Sequence, residues 1–138
     1  RSRRAYYIWQ VLKVIIITNN ELINSLSNIY NDLSIVYAGE NVTDVIERTW
    51  DMILNSNFKF ISNPMCGRTA RPFPYLSVIL LESDTDTSVT SWDMLMSCQI
   101  NDSKNEPLYQ ILSFEIKMDF AILDYSLVSC VLKNVNNK

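Results

Sequence analysis

A strict alternation of apolar and polar residues marks the C-terminal half of the chain. The apolar members are Leu108, Leu112, Phe114, Ile116, Met118, Phe120 and Ile122. Ser113, Glu115, Lys117 and Asp119 are interleaved with them. A period of two puts successive side chains on opposite faces of a strand, whereas on a helix it would scatter the apolar positions around the axis. The pattern predicts a strand here, with further strands at 92–100 and 125–135.

The N-terminal half shows two other patterns. Residues 6–17 are aromatic or β-branched on both faces, which predicts an inner strand covered from both sides. Residues 18–20, Thr-Asn-Asn, should end that strand and cap a helix. From Glu21 the apolar residues follow a helical period that continues to Gly39, a residue suited to the position after a helix C-terminus. The predicted stripe consists of Leu22, Leu26, Ile29 and Leu33.

A second amphipathic helix is expected after Gly39. Asn41 or Thr43 can cap it, and its apolar face runs from Val45 to Leu54. Residues 58–75 contain three prolines and a glycine without sustained periodicity, so we expect a long loop there. Strand character resumes at 76–81.

Together these elements predict one α+β domain over residues 1–138. Its sheet would be an antiparallel meander with an added N-terminal strand, and its two amphipathic helices would pack on one face of that sheet. Residues 1–5 are expected to form a flexible basic end. No apolar run approaches the roughly 20 residues that a membrane span requires. Because the chain opens at Arg1 and no leader follows, we expect an excised fragment.

Composition argues against catalysis and cofactor binding. Histidine is absent, which removes the side chain that most easily moves protons near neutral pH. Two glycines cannot assemble a phosphate-binding loop. Three cysteines, an odd number at wide spacing, fit neither a disulfide framework nor a zinc site. We therefore expect no enzyme activity, no cofactor and no metal. The acidic balance, with a net charge of −3, also argues against sequence-specific nucleic-acid binding.

The predicted loop mixes basic and aromatic residues and contains no acid. Its candidate contact residues are Lys59, Met65, Arg68, Arg71, Phe73 and Tyr75. Such a mixture suits an anionic membrane surface or a self-association contact, because the cations face negative charge while the rings enter the headgroup zone. The alternative is a solvated loop whose aromatic side chains fold back into the core.

A second basic cluster begins the chain. Arg1, Arg3 and Arg4 could bind acidic surfaces if a preceding segment continues the cluster. The alternative for these three residues is a disordered end.

The order of these elements resembles the core domain of rhabdovirus matrix proteins. In that family a strand leads into an amphipathic helix that ends in an aromatic-small-glycine step. A second helix, a loop and antiparallel strands follow. The matching segments are 6–17, 22–37, Tyr37-Ala38-Gly39, 45–54, 55–75 and 76–135. The resemblance covers nearly the whole chain.

That resemblance implies a viral structural protein without enzyme activity. Such a protein self-associates, binds the inner face of the envelope membrane and condenses the nucleocapsid during assembly and budding. The implied partners are a second copy of the chain, the viral nucleocapsid, an anionic membrane and host proteins. The implied location is the virion, the host cytoplasm and the inner face of host membranes. An alternative is a viral host-modulating module that captures a cellular protein through a helical groove.

Overall fold

A computed structural model describes residues 13–55, 58–64, 72–82 and 88–136. The strands are β1 (Val14–Thr18), β2 (Leu33–Tyr37), β3 (Phe58–Phe60) and β4 (Ser77–Glu82). The helices are a 3₁₀ helix (Glu21–Asn28), α1 (Val42–Asn55), α2 (Ser88–Tyr109) and α3 (Phe114–Asn136). The predicted α+β class is confirmed, and most of the residues that the structure describes are helical.

The four described strands form one mixed sheet in the order β2-β1-β4-β3. β1 pairs parallel with β2, with Thr18 opposite Tyr37, and antiparallel with β4, with Thr18 opposite Ser77. β3 pairs antiparallel with β4. A parallel pair needs a crossover connection, and the 3₁₀ helix provides it between β1 and β2. The carboxyl ends of β1 and β2 therefore lie together at one edge of the sheet.

Helices cover both faces of the sheet. On one face α1 and α2 pack together over Ile15, Ile17 and Leu80. On the other face α3 and the 3₁₀ helix pack over Ile16 and Ile79. β1 is buried on both sides, as its sequence predicts. The prediction that the two N-terminal helices share one face is wrong, because a doubly buried strand needs a cover on each side.

The N-terminal half follows the sequence prediction in part. α1 and β4 form close to where the pattern places them. The cap comes from the predicted segment 18–20: it is Asn20, whose Oδ1 accepts the Leu22 N–H at 3.1 Å. The first helix, however, ends at Asn28, and residues 33–37 form β2 instead. The β-branched sequence Leu-Ser-Ile-Val-Tyr gains ladder hydrogen bonds to β1 that a helix would not offer.

The predicted C-terminal meander is wrong. Residues 88–109 and 114–136 form two long helices, α2 and α3. On α2 the buried positions are Leu95, Cys98 and Asp102, at helical spacings of three and four. Trp92 and Met96, which contribute to the apparent alternation, are instead exposed.

On α3, too, the residues at helical spacing are buried and the residues of the alternating pattern are exposed. Its buried positions are Ala121, Asp124, Val128 and Leu132, again three or four apart. Phe114 and Ile116, which dominate the alternating pattern, are exposed. Buried aspartates interrupt the apolar stripe of each helix, and exposed apolar residues supply a false period of two.

Candidate functional site

Three of the residues predicted to contact a membrane or an anionic partner lie in the described part of the chain. The others, Arg1, Arg3, Arg4, Met65, Arg68 and Arg71, lie outside the described residues. Lys59 is exposed on β3, and Tyr75 is half-buried before β4. Phe73 is fully buried, with its ring centroid 4.8 Å from that of Phe120. Phe73 is therefore a core residue and offers no surface to a partner.

Asn19, the residue after β1, joins three segments at the sheet edge. Its Nδ2 donates to the carbonyl oxygens of Glu40 at 3.2 Å and Pro74 at 2.9 Å. Its Oδ1 accepts the Leu76 N–H at 2.8 Å. The side chain is 3% exposed, so it supplies partners to backbone groups that water reaches poorly. Asn19 thereby holds the connections around residues 40 and 74 against the end of β1.

A second buried network attaches α3 to the same edge. The Asp124 Oδ2 accepts from Ser77 Oγ at 2.7 Å and from Asn20 Nδ2 at 3.0 Å. The Thr18 Oγ1 lies 2.7 Å from Ser77 Oγ, and Asn20 Nδ2 also donates to the Ala121 carbonyl oxygen. Because a buried carboxylate is stable only when hydrogen-bonded, this network specifies how α3 docks on β1 and β4.

The first of these networks, which holds Glu40 and Pro74, borders a cleft at the carboxyl ends of β1 and β2 with a volume of about 320 Å³. We call it the strand-end cleft. Its lining residues are Glu40, Asn41, Val42, Thr43, Pro74, Tyr75, Asp102, Glu106, Tyr109 and Lys117. In sheets with parallel strands, ligands commonly bind outside the carboxyl ends of those strands. The cleft therefore occupies the position where the fold favours a ligand site.

The charge of the strand-end cleft is predominantly negative. Glu40, Asp102 and Glu106 contribute carboxylates, and Lys117 contributes an ammonium group. Asp102 is 6% exposed, and its Oδ2 accepts from Thr43 Oγ1 at 2.9 Å, which ties α2 to the first turn of α1. A concave surface with excess carboxylates favours a ligand that carries positive charge.

The turn between β2 and α1 forms part of this lining. Gly39 has φ of 145°, and a Cβ there would lie 2.7 Å from Asp44 Cγ, so the turn requires glycine. Asp44 in turn caps α1, since its Oδ2 accepts the Asn41 N–H at 3.1 Å. The negative side chain also suits the positive end of the helix dipole. The N-terminus of α1 is therefore capped from within the chain.

Two tyrosines beside the strand-end cleft hold their protons more strongly than usual. Burial raises the pKa of Tyr75, and the carboxylates of Glu21 and Asp124 add to the effect. Burial likewise raises the pKa of Tyr37, with a further contribution from Glu21. In each case desolvation and nearby negative charge disfavour the phenolate.

This shift predicts a loss of stability in alkali. With a folded-state pKa above the ordinary 10.0, Tyr75 keeps a proton that the unfolded chain releases. Its stabilisation is complete below the unfolded pKa and disappears as the pH rises through the folded pKa. Urea unfolding from pH 8 to 11 should show this decline, and it should be smaller in Tyr75→Phe. Identical profiles for the two proteins would contradict the assignment.

The strand-end cleft is lined by carboxylate, amide and hydroxyl groups and by one ammonium group. Histidine is absent from the chain, and neither Cys98 nor Cys130 lines the cleft. In the described ranges, no group of three or more Cys, Asp or Glu is placed to hold a metal ion. None of the described helices has both the length and the apolar character to cross a bilayer.

The sequence reasoning missed most residues of the cleft. Tyr75 was predicted, but as part of a membrane loop. The sequence pattern places Asp102, Glu106 and Lys117 in strands or their connection, and it places Asn19 in the segment that ends the first strand and caps a helix. One signal was available: the predicted three-stranded meander contained no glycine in its turns, although short hairpins usually need one.

The structure defines an α+β protein whose mixed four-stranded sheet is covered by helices on both faces and bordered by a polar cleft. The chain belongs to the GrdX-like protein family, because the model of that family matches residues 15–133. No curated protein and no solved structure matches the chain.

Membership of this family overturns the resemblance to rhabdovirus matrix proteins. The matrix function, the role in assembly and budding, and the location in the virion, host cytoplasm and inner face of host membranes are wrong with it. The alternative of a viral host-modulating module is also wrong. The physical reason is the C-terminal half, because the viral comparison required antiparallel strands where the chain forms α2 and α3.

Proposed function

We propose that this chain is a non-catalytic binding protein that holds a small, amine-bearing ligand in the strand-end cleft. We further propose that it serves a bacterial glycine reductase system. The observation that carries the first proposal is the lining of the cleft, in which three carboxylates accompany one ammonium group. The second is supported by the GrdX-like family, which is associated with glycine reductase in bacteria.

The size and lining of the cleft suit such a ligand. A volume of about 320 Å³ is at the lower end of the range for small-molecule sites. Tyr75 and Tyr109 add aromatic surface, which attracts ammonium groups through the ring quadrupole. Glu106 is exposed, so its carboxylate is accessible to an entering ligand.

The non-catalytic assignment is supported by how the polar groups are used. Catalysis by a hydroxyl nucleophile needs a base that is itself oriented by a third group. Thr43 donates to Asp102, and that contact joins α1 to α2. We therefore assign this pair to shaping the cleft.

The binding proposal predicts selective uptake of an organic cation. Ethylammonium chloride should bind measurably by isothermal titration calorimetry, whereas sodium acetate should not bind. Glu106→Lys should weaken ethylammonium binding by about tenfold or more, because it replaces an attractive charge with a repulsive one.

The matched control is Glu115→Lys, which makes the same charge change at an exposed position of α3 outside the lining. It should leave ethylammonium binding within about twofold of the unchanged chain, because the Glu115 side chain is exposed and lies outside the lining, where water and salt weaken its interaction with a bound ligand. Equal losses in both variants, or no ethylammonium binding by the unchanged chain, would refute the proposed function.

Assignment to the GrdX-like family removes the support for some of the partners predicted from the sequence and leaves the support for others. Self-association and contact with an anionic surface stay predictions that rest on the basic and aromatic residues around 59–75. The nucleocapsid and host proteins were implied by the viral resemblance, and nothing else in the chain suggests them.

A further inference from the structure

Of the charged residues in the strand-end cleft, Glu40 lies in the connection between β2 and α1, and the other three come from two helices. Asp102 and Glu106 come from α2, which packs with α1 on one face of the sheet. Lys117 comes from the first turn of α3, which packs on the other face. The cleft therefore has an acidic wall and a basic wall.

Lys117 supplies the positive charge in the cleft lining. The N-terminus of α1 could also attract an anion, but two of its N–H groups already have partners. The Asn41 N–H donates to Asp44 Oδ2, and the Asp44 N–H donates to the Asn41 carbonyl oxygen at 3.1 Å. These amides at the start of α1 are already used within the chain. An anionic group in the cleft would thus find its charge-assisted donor in Lys117.

We infer that the ligand of the strand-end cleft is a small zwitterionic amino acid. Its ammonium group lies against the carboxylates of Asp102 and Glu106, and its carboxylate lies against the Lys117 ammonium group. The inference rests on the proposed function and narrows its ligand class, because a simple amine would leave the basic wall without a partner.

The test compares glycine, which has both charges, with ethylammonium, which has one. By calorimetry the unchanged chain should bind glycine about tenfold tighter, as expected for one additional charge-assisted contact. In Lys117→Gln this preference should fall to about twofold or less, because glycine loses its charge-assisted donor and ethylammonium loses a repulsive charge. Lys117→Arg should keep the preference for glycine.

Lys104→Gln is the matched control, since Lys104 is exposed on α2 and lies outside the lining. It should keep the full preference. Equal affinities for glycine and ethylammonium in the unchanged chain would overturn the zwitterion inference and leave the amine-binding proposal standing. A preference that survives in Lys117→Gln would overturn the inference as well. Failure of both ligands to bind would instead refute the proposed function itself.

Discussion

Replacing Phe73 with alanine is expected to lower the free energy of unfolding by about 3–5 kcal/mol, the usual cost of deleting a buried aromatic ring. Phe73 has no exposed surface, and its ring packs against Phe120 of α3. Its removal leaves a cavity between the segment before β4 and α3. Chemical denaturation monitored by circular dichroism measures the effect.

Phe114→Ala is the matched control for this substitution. Phe114 is the first residue of α3, and its side chain is 77% exposed. Its removal should change the unfolding free energy by no more than about 0.5 kcal/mol, as for most surface substitutions. If the two variants lose similar stability, the assignment of Phe73 to the core is wrong.

The second large effect is expected at Asn19. Asn19→Ala should lower the free energy of unfolding by about 2–4 kcal/mol, because buried polar groups left without partners cost about 1–3 kcal/mol each. The affected groups are the carbonyl oxygens of Glu40 and Pro74 and the N–H of Leu76. Urea unfolding provides the measurement.

Two further variants test whether the effect comes from the hydrogen bonds of Asn19: one keeps the size of its side chain, and the other removes an exposed asparagine. Asn19→Asp keeps the acceptor for Leu76 but loses both donated bonds, so it should also be destabilised. Asn24→Ala removes the same amide from an exposed position of the 3₁₀ helix and should have little effect. A stable Asn19→Ala variant would show that the connections around 40 and 74 do not depend on this side chain.

The sequence predicts elements well where burial follows hydrophobicity. β1 is apolar on consecutive positions and is buried on both faces. α1 buries Val42, Val45, Thr49 and Ile53, which lie three or four residues apart as its pattern indicates. In these elements local propensity and tertiary packing agree, which is the condition for a reliable pattern.

The C-terminal half was misread because polar residues occupy buried positions. Asp102 lies in the buried stripe of α2 and lines the strand-end cleft, and Asp124 lies in that of α3 and accepts two hydrogen bonds. At the same time Trp92, Met96 and Ile100 are exposed, which gives α2 an apolar face on the solvent side. Hydrophobicity alone therefore assigns the wrong face and the wrong period.

The strand-end cleft could not be predicted from local pattern at all. Its residues come from the start of α1, the segment before β4, the end of α2 and the start of α3. They meet because β1 and β2 are parallel and end at the same edge. That pairing depends on recognising residues 33–37 as a strand, whereas their apolar spacing also continues the preceding helical stripe.

The most direct measurement is a crystal structure of the chain grown in the presence of glycine. The account predicts glycine in the strand-end cleft, with its nitrogen about 3 Å from a carboxylate oxygen of Glu106 or Asp102 and its carboxylate at a similar distance from Lys117 Nζ. Glycine bound against other residues, or no glycine in the cleft at saturating concentration, would contradict it.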